Sequence, residues 1–280
     1  MRVLIVAATE AEIGGLRLAV GERRSENRDD RLESRDQRSE VRDERAESSG
    51  QQPETGDQRA EIRDERPEIK DEELIAGGNN KQLITNHESR ISNQPTSNPP
   101  TSNISFLITG VGMVATAFAL GKELSNNPYD LVINLGIAGS FDRSIALGEV
   151  VEVVEDTFAE LGAEEDEIFL PLDQMGFGEV SFRASTHAIF NFKRVRGITV
   201  NKVHGNDASI EKIIHRLDPQ VESMEGAAVF YACKQFNTQC LQIRAVSNYV
   251  EKRNREAWKI GLAVKNLNTF AADLVEKLIG

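Results

Sequence analysis

A chain of 280 residues, 39% of them apolar, is long enough to bury a substantial core. Its 33 basic residues against 45 acidic ones leave a net charge of −12, which favours solubility and disfavours a nucleic-acid partner. Two cysteines, Cys233 and Cys240, lack CxxC spacing and sit in no cluster with His87, His187, His204 or His215, so a structural metal is not expected and a reducing compartment is.

In chain order, residues 2–8 ("RVLIVAA") read as a buried strand and "EAEIGGLRLAV" as the helix after it, weakened by Gly14 and Gly15. The apolar run is too short for a signal segment and no other stretch approaches a membrane span, so a cytoplasmic protein with no membrane contact is expected. The segment 21–103 then breaks the pattern. From about Glu22 to Glu73 it is nearly all Arg, Asp, Glu, Ser and Gln, and Arg28, Arg35, Arg42, Arg63 and Lys70 share a seven-residue phase, each followed by Asp. A coiled coil needs apolar a and d positions, and only scattered Leu32, Val41, Ile62 and Ile69 appear. The repeat therefore reads as a solvated insertion, laced by ion pairs three and four residues apart, inside a single domain spanning 1–280. A partner-binding arm is the sharper alternative. A polar Pro/Ser/Asn linker follows, to residue 103.

Beyond the insertion, "ISFLITG" is a strand, "GMVATAFALGKEL" a helix, and "DLVINLG" and "GEVVEVVEDTF" are strands. "ITVNKV" and "CLQIRAV" complete the sheet, separated by the helical "MEGAAVFYACKQF". Val264, Leu267, Phe270, Ala271, Leu274, Val275 and Leu278 recur at helical spacing, so the last stretch caps the sheet. The alternation predicts an α/β fold, a three-layer α-β-α sandwich on a mixed, largely parallel central sheet, with ligands gathered at the carboxyl ends of the strands.

Those ends carry unusual polarity. "TGVGMVA" places Gly110, Gly112 and Ala115 in the G-x-G-x-x-[GA] pattern of dinucleotide sites. The acid that such a site wants at the end of the next strand is missing, since Asp130 precedes that strand. Close helix packing and backbone amides approaching a smaller ligand fit these glycines better. Strand one delivers Glu10 and Glu12, "VESMEGAAV" supplies Glu222 and Glu225, and the strand before Asn248 supplies Arg244 and Ser247. Taken singly, the acids are ordinary helix starts favoured by the dipole. Their convergence from separate strand ends points to a site.

"VLIVAATEAEI", "TGVGMVATA", "INLGIAGS", "VESMEGAAV" and "IRAVSN", in this order, resemble the nucleoside phosphorylase and nucleosidase superfamily, especially the methylthioadenosine/adenosylhomocysteine nucleosidases. "RAVSNYVEKRN", with "FAELGAE" and "GFG", looks most like the futalosine hydrolases of menaquinone biosynthesis. The resemblance covers residues 1–20 and about 104–280, and the charged repeat has no counterpart in it. It implies that Glu12 activates water, that Glu225 grips the ribose hydroxyls with Met224 beneath the sugar, that Gly139 offers a backbone contact, and that Arg244 and Ser247 support the site. Phe158 is the candidate for the ring stacked on the base. Two departures stand out: Ile137 replaces a small polar residue in "GIAG", and "VHGNDASI" matches the purine-lining segment only loosely.

Adenine-releasing nucleosidases have Asp where this chain has Asn248. Hypoxanthine presents O6, an acceptor, so an amide that donates N–H to O6 and accepts from N7–H suits it, whereas a carboxylate would face O6 with a lone pair. The expected reaction is hydrolysis of the N-ribosidic bond of futalosine through an oxocarbenium-like transition state, with no metal or organic cofactor. The alternatives are a methylthioadenosine/adenosylhomocysteine or aminofutalosine nucleosidase, a purine nucleoside phosphorylase, and a non-catalytic nucleoside-binding protein. A phosphorylase needs a cationic cradle, and an acid at Glu12 would repel phosphate. The resemblance also implies a homodimer or higher homo-oligomer.

Overall fold

The order of the strands is set by β3 (Leu131–Ser140), ten residues that are buried almost throughout. In a computed structural model describing residues 1–18, 103–185 and 192–279, β3 pairs on one side with β1 (Arg2–Ala7), which in turn pairs with β2 (Asn103–Ile108). The charged repeat and most of the polar linker lie outside the described residues. On its other side β3 runs parallel to β10 (Gln239–Tyr249) for its whole length. The register slips between Val246 and Asn248, which leaves Ser247 as the extra residue of a β-bulge.

From β10 the pairing continues antiparallel to β4 (Val150–Phe158), then parallel to β8 (Lys193–Thr199) and to β9 (Val221–Ser223). β9 returns antiparallel to the end of β3, with Gly139 opposite Glu222. Five strands thus close into a ring, from which β1 and β2 extend, while the short β7 (Ser181–Arg183) pairs with β4. The sheet is mixed and largely parallel.

Alternation along the strands feeds two apolar layers. Val3, Ile5, Ile133, Leu135 and Ile243 pack with Ile13 and Leu16 of the first helix, α1 (from residue 10 through 18), and with Leu267, Phe270 and Leu274 of α5 (Ile260–Ile279). Leu4, Val6 and Val132 face the opposite way, against Leu120 and Leu124 of α2 (Met113–Asn126) and Val229 and Phe230 of α4 (Gly226–Gln235). Helices on both faces give the three layers.

The strand expected at "ITVNKV" is displaced. β8 starts at Lys193 and ends at Thr199, where its pairing along β4 begins and ends. Besides the three-residue strands β7 and β9, a helix and a hairpin have no counterpart in the sequence reading. One is α3 (Asp207–Leu217), capped by Asn206, whose side chain accepts from Ser209 N at 3.3 Å. The other is the hairpin of β5 (Gly162–Glu165) and β6 (Ile168–Pro171). Cys233 and Cys240 are both buried, as a hydrogen-bonded pair in which Cys240 and burial push the Cys233 thiol up.

Candidate active site

Two acids at the start of α1 part company. Glu10 points outward and pairs with Arg17 at 2.5 Å, whereas Glu12 turns inward and is buried. One Glu12 oxygen accepts from Thr9 N (2.9 Å) and Thr9 Oγ1 (3.2 Å), and the other from Ile137 N (3.2 Å). The departure at Ile137 is thereby absorbed, since the backbone amide holds Glu12 whatever the side chain. Asn268 of α5 fixes the turn from behind, donating to Glu12 O at 2.8 Å and accepting from Leu16 N at 2.9 Å.

Opposite Glu12, β3 has Gly136. A Cβ there would stand 2.2 Å from Arg244 Nη1 and 3.1 Å from Glu12 Oε1, so only glycine leaves room for both the guanidinium and the carboxylate over this strand. Arg244 is buried, and its Nη1 donates to Asn134 Oδ1 at 3.4 Å. Its Nε and Nη2 have no hydrogen-bond partner among the described residues. Behind it runs a line of polar side chains. Asn134 Nδ2 donates to Gln242 Oε1 (3.1 Å) and Gln242 Nε2 to Asp156 Oδ2 (2.8 Å). Thr199 Oγ1 donates to Asp156 Oδ1 (2.8 Å) and accepts from Ala227 N (2.7 Å) in the first turn of α4. Burial pushes the Asp156 carboxyl up to about 6, against the opposing pull of the Gln242 and Thr199 hydrogen bonds.

Glu225 stands at the N-cap of α4, half-buried, with Met224 beside it. Its Oε1 accepts from Gly112 N at 2.9 Å. Gly112 has φ +95, a conformation that suits glycine, and it aims the amide at the carboxylate. The glycines of "TGVGMVA" thus present a backbone donor to an acid of this chain.

At the far end of β3 lies Gly139. The point where its Cβ would stand is 3.2 Å from Asn248 Nδ2 and 3.5 Å from Glu222 Cγ. Asn248 Oδ1 accepts from Ser247 Oγ (2.8 Å) and its Nδ2 donates to Tyr249 O (3.1 Å). One N–H and one lone pair of the amide remain to face a ligand. Ser247 Oγ also reaches Ala138 O at 3.2 Å. Glu222 is buried and holds His204 twice, accepting from its backbone N (3.0 Å) and meeting Nδ1 at 2.7 Å, while Phe141 packs edge-on to the imidazole.

The structure therefore brings Glu12 and Arg244 together over Gly136, and Asn248 and Ser247 together over Gly139. The Phe158 ring packs edge-on against Phe182 and lines an apolar cavity of about 840 Å³ shared with Met113, Ala228 and Tyr231. Asn134, Asp156, Thr199, Gln242 and His204 escaped the sequence reading as site residues, whereas Glu222 was among its converging acids. A signal existed for several of them, as polar residues interrupting apolar strands. Among the described residues no group of three or more His, Cys, Asp or Glu side chains is placed to hold a metal ion.

Residues 100–280 match the phosphorylase superfamily, well over half of the chain. This chain belongs to the phosphorylase superfamily. The matched span contains every candidate residue except Glu12. Among curated members, the chain is similar to the futalosine hydrolase of Streptomyces coelicolor, 35% identical over 184 residues, which cover 61% of this chain and 78% of the relative. The futalosine hydrolase of Thermus thermophilus is 27% identical over 172 residues, 58% of this chain and 76% of the relative. Solved structures share the superfamily fold. The 5'-methylthioadenosine/S-adenosylhomocysteine nucleosidase of Neisseria meningitidis, bound to methylthio-immucillin-A, superposes with a TM-score of 0.59 at 14% identity over 99% of each chain. The futalosine hydrolase of Helicobacter pylori superposes at 0.55 with 12% identity, over 63% of this chain and 80% of that one.

Proposed function

We propose that this superfamily member hydrolyses the N-ribosidic bond of futalosine, releasing hypoxanthine and dehypoxanthine futalosine in menaquinone biosynthesis. The observation that carries the reading is Asn248, an amide seated by Ser247 and Tyr249 with one donor and one acceptor to spare. That pair complements O6 and protonated N7 of hypoxanthine. The curated relatives named futalosine hydrolase support the same substrate.

In the reaction, Glu12 takes a proton from water as the oxygen closes on C1′. Its three hydrogen bonds keep it aimed, and the Arg244 guanidinium beside Gly136 offers donors to the same region. Glu225, held by Gly112, accepts from the 2′- and 3′-hydroxyls as charge builds on the sugar. Asn248 donates to O6 of the departing purine, whose N7 proton comes from solvent or another group. Glu12 also supports water over phosphate as the nucleophile, since a carboxylate at the reacting carbon repels an anion. Beyond C5′, Arg253 is exposed near the Trp258 ring, within the same chain segment as Arg255, and either guanidinium suits a substrate carboxylate.

The protein works in the cytoplasm as a homodimer or higher homo-oligomer. Supporting the assembly, Val111, Val114, Phe118, Phe177 and Tyr231 are 43–77% exposed. No helix of the described residues is long and apolar enough to cross a membrane.

The deciding experiment follows base release from futalosine, aminofutalosine and methylthioadenosine in phosphate-free buffer. Hypoxanthine from futalosine is the expected product. Strict dependence on added phosphate would establish phosphorolysis, and release from the 6-amino nucleosides alone would establish one of the adenine-releasing activities. Binding of these nucleosides without release would leave a binding protein.

A further inference from the structure

The line of side chains behind Arg244 has a direction. Thr199 Oγ1 accepts from Ala227 N, so its own proton goes to Asp156 Oδ1. Gln242 gives its amide protons to Asp156 Oδ2 and its oxygen to Asn134. Asn134, having given its protons to Gln242, can turn only its oxygen to Arg244. Every donor points toward Asp156. Asp156 is therefore the acceptor that fixes both amide orientations, and Arg244 is the cation at the other end.

We propose that Asp156 is a positioning residue: through Gln242 and Asn134 it presents an acceptor to Arg244 and seats the guanidinium beside Glu12 at Gly136. The site is built for this contact. A Cβ on Gly226 would lie 2.1 Å from Asp156 Oδ2 and 2.3 Å from Gln242 Oε1, so α4 begins on a glycine that lets its first turn close over the pair. The charged groups that face Asp156 are Arg244 of β10, which favours its ionised form, and Glu225 at the start of α4, which opposes it. Thr199 of β8 and Gln242 are its neutral partners.

Reversing the chain has a definite end point. A donor at position 156 turns Gln242 over, which turns Asn134 over, and an amide NH₂ then meets Arg244. Two donors face each other there and the guanidinium loses its seat.

The inference rests on the hydrolytic reading, through Glu12, and is tested by two variants of the full chain. Asp156→Asn should lower kcat for base release on the order of 10–10²-fold, the scale of a displacement of about 1 Å at a reacting centre, with KM within a few-fold. The wild-type kcat should fall below pH about 6 as Asp156 takes up a proton, and the single variant should lack that limb. The double variant Asp156→Asn with Gln242→Glu restores the direction. The amide at 156 accepts from Thr199 and donates to the carboxylate at 242, which accepts from Asn134. Its kcat should return to within a few-fold of wild type. A merely structural role would not produce this recovery.

Wild-type kcat and pH profile in the single variant would overturn the proposal. So would a folded double variant as inactive as the single one, or a wild-type kcat profile without the acid limb. If the single variant fails to fold, the double variant decides alone. Wild-type turnover measured alongside separates the two ideas: its absence defeats the hydrolase reading, and its presence with indifferent variants defeats the positioning role.

Discussion

The backbone N–H of Gly112 donates to Glu225 Oε1 at 2.9 Å, a contact between residues 113 positions apart. It occupies one oxygen of the carboxylate, and in the proposed reaction the other accepts from the ribose. Glu225→Gln should keep the Gly112 bond through its carbonyl oxygen while replacing the free acceptor by a donor. Hydrogen bonds to charged groups are worth ~1.5–3 kcal/mol, so kcat/KM should fall on the order of 10–10²-fold. A 2′-deoxy substrate analogue is the check. The variant should lose less with it than with the ribonucleoside, and an equal loss would take the hydroxyl contact away from Glu225.

Glu12 receives three hydrogen bonds and lies beside Arg244. Glu12→Gln retains the shape and removes the base, so kcat should drop by roughly 10²–10⁴. Binding of hypoxanthine, followed by calorimetry, should stay nearly intact. Near-normal turnover would remove Glu12 from the mechanism.

Asn248→Asp replaces the spare N–H with a lone pair. Mismatched hydrogen-bonding groups in an enclosed site discriminate by up to about 10⁴–10⁵, so hypoxanthine release should collapse while 6-amino substrates gain in relative terms. The quantity to measure is the ratio of kcat/KM for 6-oxo and 6-amino partners of one nucleoside, in both proteins. An unchanged ratio would mean that Asn248 does not read the base.

Asp156 makes stability depend on pH in an unusual sense for a carboxylate. Its folded value, about 6, lies above the ordinary 3.8, so the folded state holds the proton more tightly. The stabilisation from that proton is complete below pH 3.8 and is lost as pH rises through about 6. The rise from 3.8 to about 6 corresponds to ~3 kcal/mol. Denaturant unfolding of wild type and Asp156→Asn at pH 4 to 8 should show the wild type losing that much relative to the variant. A constant difference would show that Asp156 does not titrate in this window.

The long elements were legible because their patterns are strong. "RVLIVAA", "DLVINLG" and "CLQIRAV" are apolar runs of strand length, and all three form central strands. Elements of three or four residues, such as β7, β9 and the β5–β6 hairpin, exist through pairing with distant partners and carry no periodicity of their own. The helix α3 was readable in principle, from the Asn206 cap and the spacing of Ile210, Ile213 and Leu217. The loose match of "VHGNDASI" to a ligand-lining segment masks that signal.

Within the site, Glu12, Glu225 and Asn248 stand at or just beyond strand ends and Arg244 is a lone cation in an apolar run, so their polarity is conspicuous. Asn134, Asp156 and Gln242 lie mid-strand, and their meaning depends on the closure of the sheet into a ring, which no single strand reveals. Phe158, an aromatic at a strand end, has Phe182 and an apolar cavity as its neighbours.

The bulge at Ser247 makes the reading of the base a matter of counting as well as chemistry. Between the contact over Gly136 and the contact over Gly139, β10 advances from Arg244 to Asn248 while β3 advances one residue less. Deleting one position there would restore regular pairing and swing a different side chain over Gly139, leaving Arg244 undisturbed. Substrate range in this architecture is therefore open to change by insertion or deletion, and libraries that vary the length of 246–249 reach pockets that point substitutions at Asn248 do not.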